Sequence, residues 1–317
     1  MRRAPITGYL LAAAGASLFA TKGVLIKLAY MTGISTEALL TLRLGLSAPV
    51  YLAIGAHAIQ RGRAVPSTPM LIKTALVGVL GYWFASYADF LGLTFISVQF
   101  ERLILFTYPA FVVLFGAVLF RQKVRPAALI GIAVSYAGLA LMFSSKLQSF
   151  GDSAAKGAGL VLAAAIAFAF YQLLAKDLIA AMGSRLFTCV AMLGAAAATI
   201  LQFVLTQPLA SLAPNPEALG YAVALAIGAT ILPSFFLNAA LERISAQANS
   251  AIATLSPVIT LLLAVAVLGE AITVIDAVST ALVMAGVAWF TFADTRRVPA
   301  KALPTAVAMA ADTEPRP

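Results

Sequence analysis

Five ionisable side chains stand where few are tolerated: Lys22, Arg43, Asp89, Glu101 and Arg102 lie within, or in the first turn of, otherwise apolar runs. A charge inside a membrane span costs about 2.5–3.5 kcal/mol on insertion scales, so such groups should face a cavity or a partner. A buried carboxyl can have its charged form disfavoured enough to take up and release a proton near neutrality, which makes Asp89 and Glu101 the proton-coupling candidates. The three cations outnumber the two acids, and the excess suits a carboxylate-bearing or zwitterionic solute. Helical spacing groups further residues with them. Tyr82, Ser86 and Asp89 follow i, i+4, i+7 and share one face, with Trp83 and Tyr87 as an aromatic stripe beside it. Glu101 and Tyr108 share a face of the next run, while Arg102 points about 100° away. Tyr171, in the second half of the chain, is a further aromatic candidate. A purely structural use is the competing reading: Arg43–Asp89 and Arg102–Glu101 pairs, or Lys22 with either acid, would only fix helix register. Glu101 and Arg102 also lie close enough to the outer surface to snorkel, and Lys27 and Glu37 are expected to do only that. Trp83, Tyr87 and Trp289 suit interfacial anchoring as well, a cavity role being weighed only for the first two.

The elements that must position these residues follow from composition. Of the 317 residues, 62% are apolar and only 10% charged, with mean hydropathy +0.98. A soluble chain would carry about a quarter charged residues. Ten runs are long enough to cross about 30 Å of hydrocarbon: Gly8–Tyr30, Glu37–Ile59, Leu71–Thr94, Val98–Phe120, Ala127–Ser144, Gly157–Ile179, Leu186–Thr206, Leu219–Leu241, Ala248–Leu268 and Val274–Ala293. Backbone polar groups find no water in lipid, so each run must be a helix and the fold an all-α integral membrane bundle. The N-terminal Met1-Arg2-Arg3 and Ala14-Gly15-Ala16 imitate a signal peptide, but the apolar run continues to Tyr30, too long for one, and is expected to be retained.

Basic residues orient the bundle. With the N-terminus in the cytoplasm, 15 Lys and Arg residues fall inside and only Lys146 and Lys156 outside. Both termini are therefore expected in the cytoplasm, in a bacterial inner membrane. The same distribution explains the net charge of +9, since no basic face or stripe suggests nucleic acid. One cysteine, Cys189, and one histidine, His57, exclude a disulfide framework and leave little for a metal site. No cofactor or nucleotide-binding motif is present, so ATP-driven movement by this chain alone is not expected. An enzyme would need a nucleophile and a base, and Lys22 with Ser17 or Thr21 is the nearest approach to that.

The chain also repeats itself. At a shift of 148 residues Ile96-Ser97-Val98-Gln99 falls on Ile244-Ser245-Ala246-Gln247, Pro109 on Pro257, Ser86 on Ser234 and Gly138 on Gly286. Each half holds five spans, an odd number, so the halves must insert in opposite senses. That divides the chain into a first five-helix repeat (1–145), an extracytoplasmic linker (146–156), an inverted second repeat (157–294) and a disordered cytoplasmic tail (295–317). Such a plan is frequent among secondary transporters, whose sites lie at the repeat interface. Asn249 and Ser256 stand at the positions of Glu101 and Tyr108, and Thr230, Ser234 and Leu237 at those of Tyr82, Ser86 and Asp89, so the second half keeps polarity but loses charge. Pro109 and Pro257 each remove an N–H well inside a span, and as a repeated pair they are expected to hinge two bent helices around a midplane site. Gly131, Ser135 and Gly138 form a small-residue stripe for close helix packing, within the bundle or in a homodimer.

Particular segments carry a family likeness. "LGLTFISVQFERLILFTYPAFVVLFGAVL", "ATLSPVITLLLAVAVLGEAIT" with its Gly269-Glu270, and "LRLGLSAP" with its Arg43 resemble the third-to-fourth-, ninth- and second-helix signatures of the EamA branch of the drug/metabolite transporter superfamily. The resemblance covers about residues 8–294. Phe19-Ala20 departs from the usual Trp-Gly of the first helix, and Arg121-Gln122 from the Gly-Glu after the fourth. What the resemblance implies is a ten-helix carrier moving a small polar metabolite, often outward, by alternating access. Its partners would be a small-molecule substrate and the lipid bilayer. A passive channel or a structural membrane subunit is the alternative.

Overall fold

The computed structural model describes residues 3–61, 65–120, 126–241 and 256–295, and among these every regular element is helical. The helices are α1 (Arg3–Ala20), α2 (Lys22–Met31), α3 (Thr36–Gln60), α4 (Thr68–Gly78), α5 (Ala85–Gly92), α6 (Val98–Leu105), α7 (Tyr108–Phe120), α8 (Pro126–Phe150), α9 (Asp152–Met182), α10 (Ser184–Thr206), α11 (Pro216–Ala226), α12 (Leu232–Leu241), α13 (Ser256–Leu268) and α14 (Val274–Thr295). Eight runs are long and apolar enough to cross a membrane, from Ile6–Met31 through Pro216–Phe236, and two shorter apolar helices, Ser256–Leu268 and Val274–Trp289, follow. The expected ninth span begins in residues 248–255, outside the described residues, as do the tail and Asn249.

The distribution of polarity is that of a bundle in lipid. Large apolar side chains such as Leu10, Leu52, Leu76, Val118 and Leu205 cover the outside, while Lys22, Arg43, Asp89, Glu101 and Arg102 are all buried. A helix apolar on every side is stable only where its outer face also meets hydrocarbon. Small residues bring backbones together inside: buried alanines line α1, α9 and α10. The most extensive pairing joins α8 to α14; α3 packs on α10, α1 on α12 and α5 on α9. At the α8–α14 crossing a Cβ on Gly138 would lie 2.7 Å from Leu282 Cβ, and one on Gly286 would lie 2.4 Å from Gly131 O. Ser135 Oγ donates to Val283 O at 3.3 Å in the same contact. The small-residue stripe thus serves packing inside the bundle.

Several spans are interrupted. The first breaks at Thr21 between α1 and α2, and the fourth breaks between Leu105 and Tyr108, just before Pro109. The third and eighth each contain a π-helical segment, Val79–Phe84 and Ile227–Ile231, whose first residues are one 148-residue shift apart. The segment 146–156 is helical except at Gly151, because α8 runs on to Phe150 and α9 starts at Asp152. Gly151 takes the turn at φ +58°, a conformation only glycine adopts readily. Lys146 at the end of α8 pairs with Asp276 in the first turn of α14 at 2.9 Å, holding the two helices together at that end.

Candidate functional site

The broken first span builds the site. Thr21 interrupts α1–α2, so the carbonyls of the preceding turn lose their regular N–H partners. Each finds another. Leu18 O accepts from Thr21 N at 3.2 Å and Thr21 Oγ1 at 2.7 Å, Phe19 O accepts from Arg102 Nη2 at 3.1 Å, and Ala20 O accepts from Thr260 Oγ1 at 3.0 Å. The residues Phe19-Ala20, where the sequence departs from its family pattern, are thus tied by backbone to α6 and α13.

Lys22 opens α2 on the far side of this break. Its Nζ donates to Asp89 Oδ2 at 2.6 Å, with both side chains buried. Glu101, on α6, is wholly buried and neither of its carboxyl oxygens meets a donor among the described residues. Its Oε2 lies 3.2 Å from where a Cβ on Gly23 would stand, so the absence of a side chain at Gly23 lets the carboxyl approach α2. Asp89 and Glu101 are buried carboxyls of one cluster, and a hydrogen bond between them could exist only if one carried a proton. Asp89 Oδ1 and Arg102 Nε are also buried without partners among the described residues. An unsatisfied buried polar atom costs about 1–3 kcal/mol. The cluster therefore has bonding capacity that one shared proton, or a polar solute, would fill.

Arg43 belongs to a neighbouring subsite. Its Nε donates to Thr230 Oγ1 at 2.8 Å in the second π segment, its Nη1 to Ser86 Oγ at 3.4 Å, and its guanidinium lies 5.2 Å from the centre of the Phe90 ring. It is 3% exposed and makes no ion pair among the described residues. Two residues the sequence reading did not single out extend this subsite. Ser47, one turn along α3, donates to Arg43 O at 2.7 Å, and Tyr51, a further turn along, meets Ser234 Oγ at 3.0 Å. Their i, i+4, i+8 spacing from Arg43 was the available signal. The expected Arg43–Asp89 and Arg102–Glu101 ion pairs are not formed. Arg43 is held by hydroxyls of the opposite half, and Arg102 by the broken first span. Lys22–Asp89, the third option, is the pair present.

The aromatic candidates divide. Tyr82 meets Tyr171 edge-on, centroids 5.0 Å apart, with hydroxyls 3.4 Å apart. Tyr108 and Tyr171 both pack on Phe168, so the three tyrosines form one ladder across the third, fourth and sixth spans. Because the helix breaks at Phe106, Tyr108 does not share a continuous helical face with Glu101. Trp83 Nε1 donates to Gln202 Oε1 at 2.6 Å, and Tyr87 donates to Glu37 Oε1 at 3.0 Å, so this stripe faces α10 and the start of α3. Glu37 therefore has a partner rather than only reaching the surface. Ser256 and Pro257 are buried at the start of α13.

A helical membrane bundle with interrupted spans and a buried charged core defines a membrane transporter, and the comparisons agree. The EamA-like transporter family pattern matches residues 6–144 and again 155–292. The chain belongs to this family and is an integral, multi-pass membrane transporter. The uncharacterized transporter YcbK of Bacillus subtilis (strain 168) is 28% identical over 280 residues, covering 83% of this chain and 86% of that protein. One solved protein crystal structure shares the fold with TM-score 0.64 at 21% identity, covering 93% of this chain and 100% of that one.

Proposed function

We propose that the protein is a secondary active carrier of a small polar metabolite, an amino acid or organic-anion-like solute. It works by alternating access, coupled to protons and running outward. In this reading ten spans form two inverted five-helix repeats in a bacterial inner membrane, with both termini in the cytoplasm. The helix pairings support the symmetry. Exchanging the halves turns the α1–α12 contact into the α5–α9 contact, and leaves α3–α10 and α8–α14 as they are. The matched π segments and the double family match support it as well. The break before Pro109, with Pro257 at the matching repeat position, would let the halves rock about the site.

The observation that carries the proposal is Glu101: a fully buried carboxyl with no donor among the described residues, near a second carboxyl that is already paired. Two such carboxyls share a proton readily. In a zwitterion the ammonium group competes with that proton for Asp89 and Glu101, while the carboxylate is drawn to Arg43, which forms no ion pair among the described residues. Mutually exclusive binding makes exchange the coupled reaction, proton inward and solute outward. Lys22 holds Asp89 in place, and Tyr82, Ser86, Ser234 and Ser256 supply neutral polar lining.

The test is flux into proteoliposomes carrying the purified protein, with an imposed pH gradient and a panel of amino acids and organic anions. Saturable flux stimulated by solute on the opposite side is expected, which a pore would lack. Glu101→Gln should lose gradient-driven accumulation by at least about tenfold and keep solute exchange. If nothing in the panel moves under either direction of gradient, the carrier reading fails. If Glu101→Gln accumulates solute like the parent, the proton role fails.

A further inference from the structure

Lys27 lies on α2 more than one turn from Lys22, and sequence alone suggests that it only reaches the surface. It instead lines two adjoining cavities, each of about 530 Å³, at the end of the bundle where α2 finishes and α6 begins. The second cavity also holds Glu270, with Phe95, Ser97 and Ser153 in its wall. Its volume falls within the range of small-molecule sites, about 300–1,000 Å³.

Lys27 and Glu270 both line this space but form no ion pair among the described residues. Glu270 is fixed in place. Gly269 turns the chain at φ +66°, Glu270 N donates to Ala264 O at 3.2 Å, and its Oε1 accepts from Val98 N at 3.0 Å. Its Oε2 remains buried without a donor among the described residues. An ammonium and a carboxylate held apart across a cavity, one of them anchored so that it cannot collapse onto the other, form a complementary frame for a molecule carrying both charges. Phe95, 36% exposed, adds apolar surface beside them.

We propose that this cavity is a binding station for an α-amino-acid zwitterion with an apolar side chain. The solute carboxylate meets Lys27 and its ammonium meets the Glu270 carboxylate. Helical rise puts Lys27 about 7.5 Å along α2 from Lys22, and Glu101 about 4.5 Å along α6 from Val98. The station thus stands one step beyond the Lys22–Asp89–Glu101 cluster on the same two helices. Its place on a transport path rests on the carrier reading; binding there does not.

The experiment is equilibrium binding of tritiated L-leucine to the full chain in lipid nanodiscs. The Glu101→Gln background is used, so that the deeper cluster is disabled. 4-Methylpentanoate and 3-methylbutylamine, which each lack one of leucine's charges, serve as competitors. Leucine is expected to bind, and each analogue to compete at least about tenfold more weakly than leucine itself. Adding Lys27→Gln or Glu270→Gln should weaken leucine binding about tenfold or more. Glutamine at 270 keeps an oxygen for Val98 N, and an unchanged melting temperature confirms the fold. Absence of leucine binding, equal competition by a singly charged analogue, or binding indifferent to both substitutions overturns the station. Leucine binding that needs Lys27 and Glu270, in a protein that moves no solute, would uphold the station and sink the carrier reading.

Discussion

The Lys22–Asp89 pair, at 2.6 Å and buried on both sides, sets the electrostatics of the core. Taking two charges from water is costly, and an isolated pair of this kind adds little net stability, but removing one partner strands the other. Asp89→Asn leaves the Lys22 ammonium without its counter-charge, and the expected loss is about 3–5 kcal/mol. The melting temperature in detergent should fall clearly, and the Lys22→Gln/Asp89→Asn double variant should recover part of the loss. An unshifted melting temperature for the single variant would mean that the two side chains do not rely on each other. The residue types of this cluster were legible in the sequence, since charges in apolar runs stand out. Their pairing was not, because Lys22 and Asp89 are 67 residues apart and several pairings were compatible with helical spacing. The break at Thr21 decides it. It aims Lys22 at α5 and gives Arg102 a backbone carbonyl to hold.

Helices meet where side chains are smallest. At the α8–α14 crossing, a methyl on Gly286 would come within 2.3 Å of Ser135 Oγ and 2.4 Å of Gly131 O. The backbone oxygen cannot swing aside, so Gly286→Ala must push the two helices apart, and overpacking of this kind costs about 1–3 kcal/mol. Gly159, on α9, has nothing within 4 Å of an added Cβ. Gly159→Ala should therefore be neutral or slightly stabilising, because alanine loses less backbone freedom in a helix. Thermal unfolding of the two variants side by side checks this, and equal melting temperatures would contradict the close crossing. Pro109 was a sound marker for the interruption of the fourth span. The π segments and the break at Thr21 carry no proline, and their local sequences, VLGYWF, IGATI and the residues around Thr21, read as ordinary helix. Only packing against the other half reveals them, through bonds such as Thr260 Oγ1 to Ala20 O.

The proposed insertion of the whole molecule gives a test that needs no substrate. Cys189 is the sole cysteine and is buried, so single cysteines can be introduced after Cys189→Ala. A cysteine at Lys156 should react with a membrane-impermeant maleimide in intact cells. Cysteines at Arg3 or Arg316 should react only after permeabilisation. Labelling of the two ends from opposite sides would rule out an even number of spans, and with it the inverted repeat.

Hydrophobicity and charge in the linear chain were enough for the membrane-spanning helices, because a backbone in hydrocarbon must satisfy itself locally and therefore writes its length into an apolar run. The same holds for the repeat, the family signatures and the list of charged residues out of place. Which of those charges touch depends on contacts between segments tens to hundreds of residues apart. Lys22 meets Asp89, Arg43 meets Thr230 and Glu270 caps the helix at Val98 only because interrupted spans and small residues let distant backbones approach. Such contacts leave no periodic trace in the sequence, so the tertiary structure alone decided them.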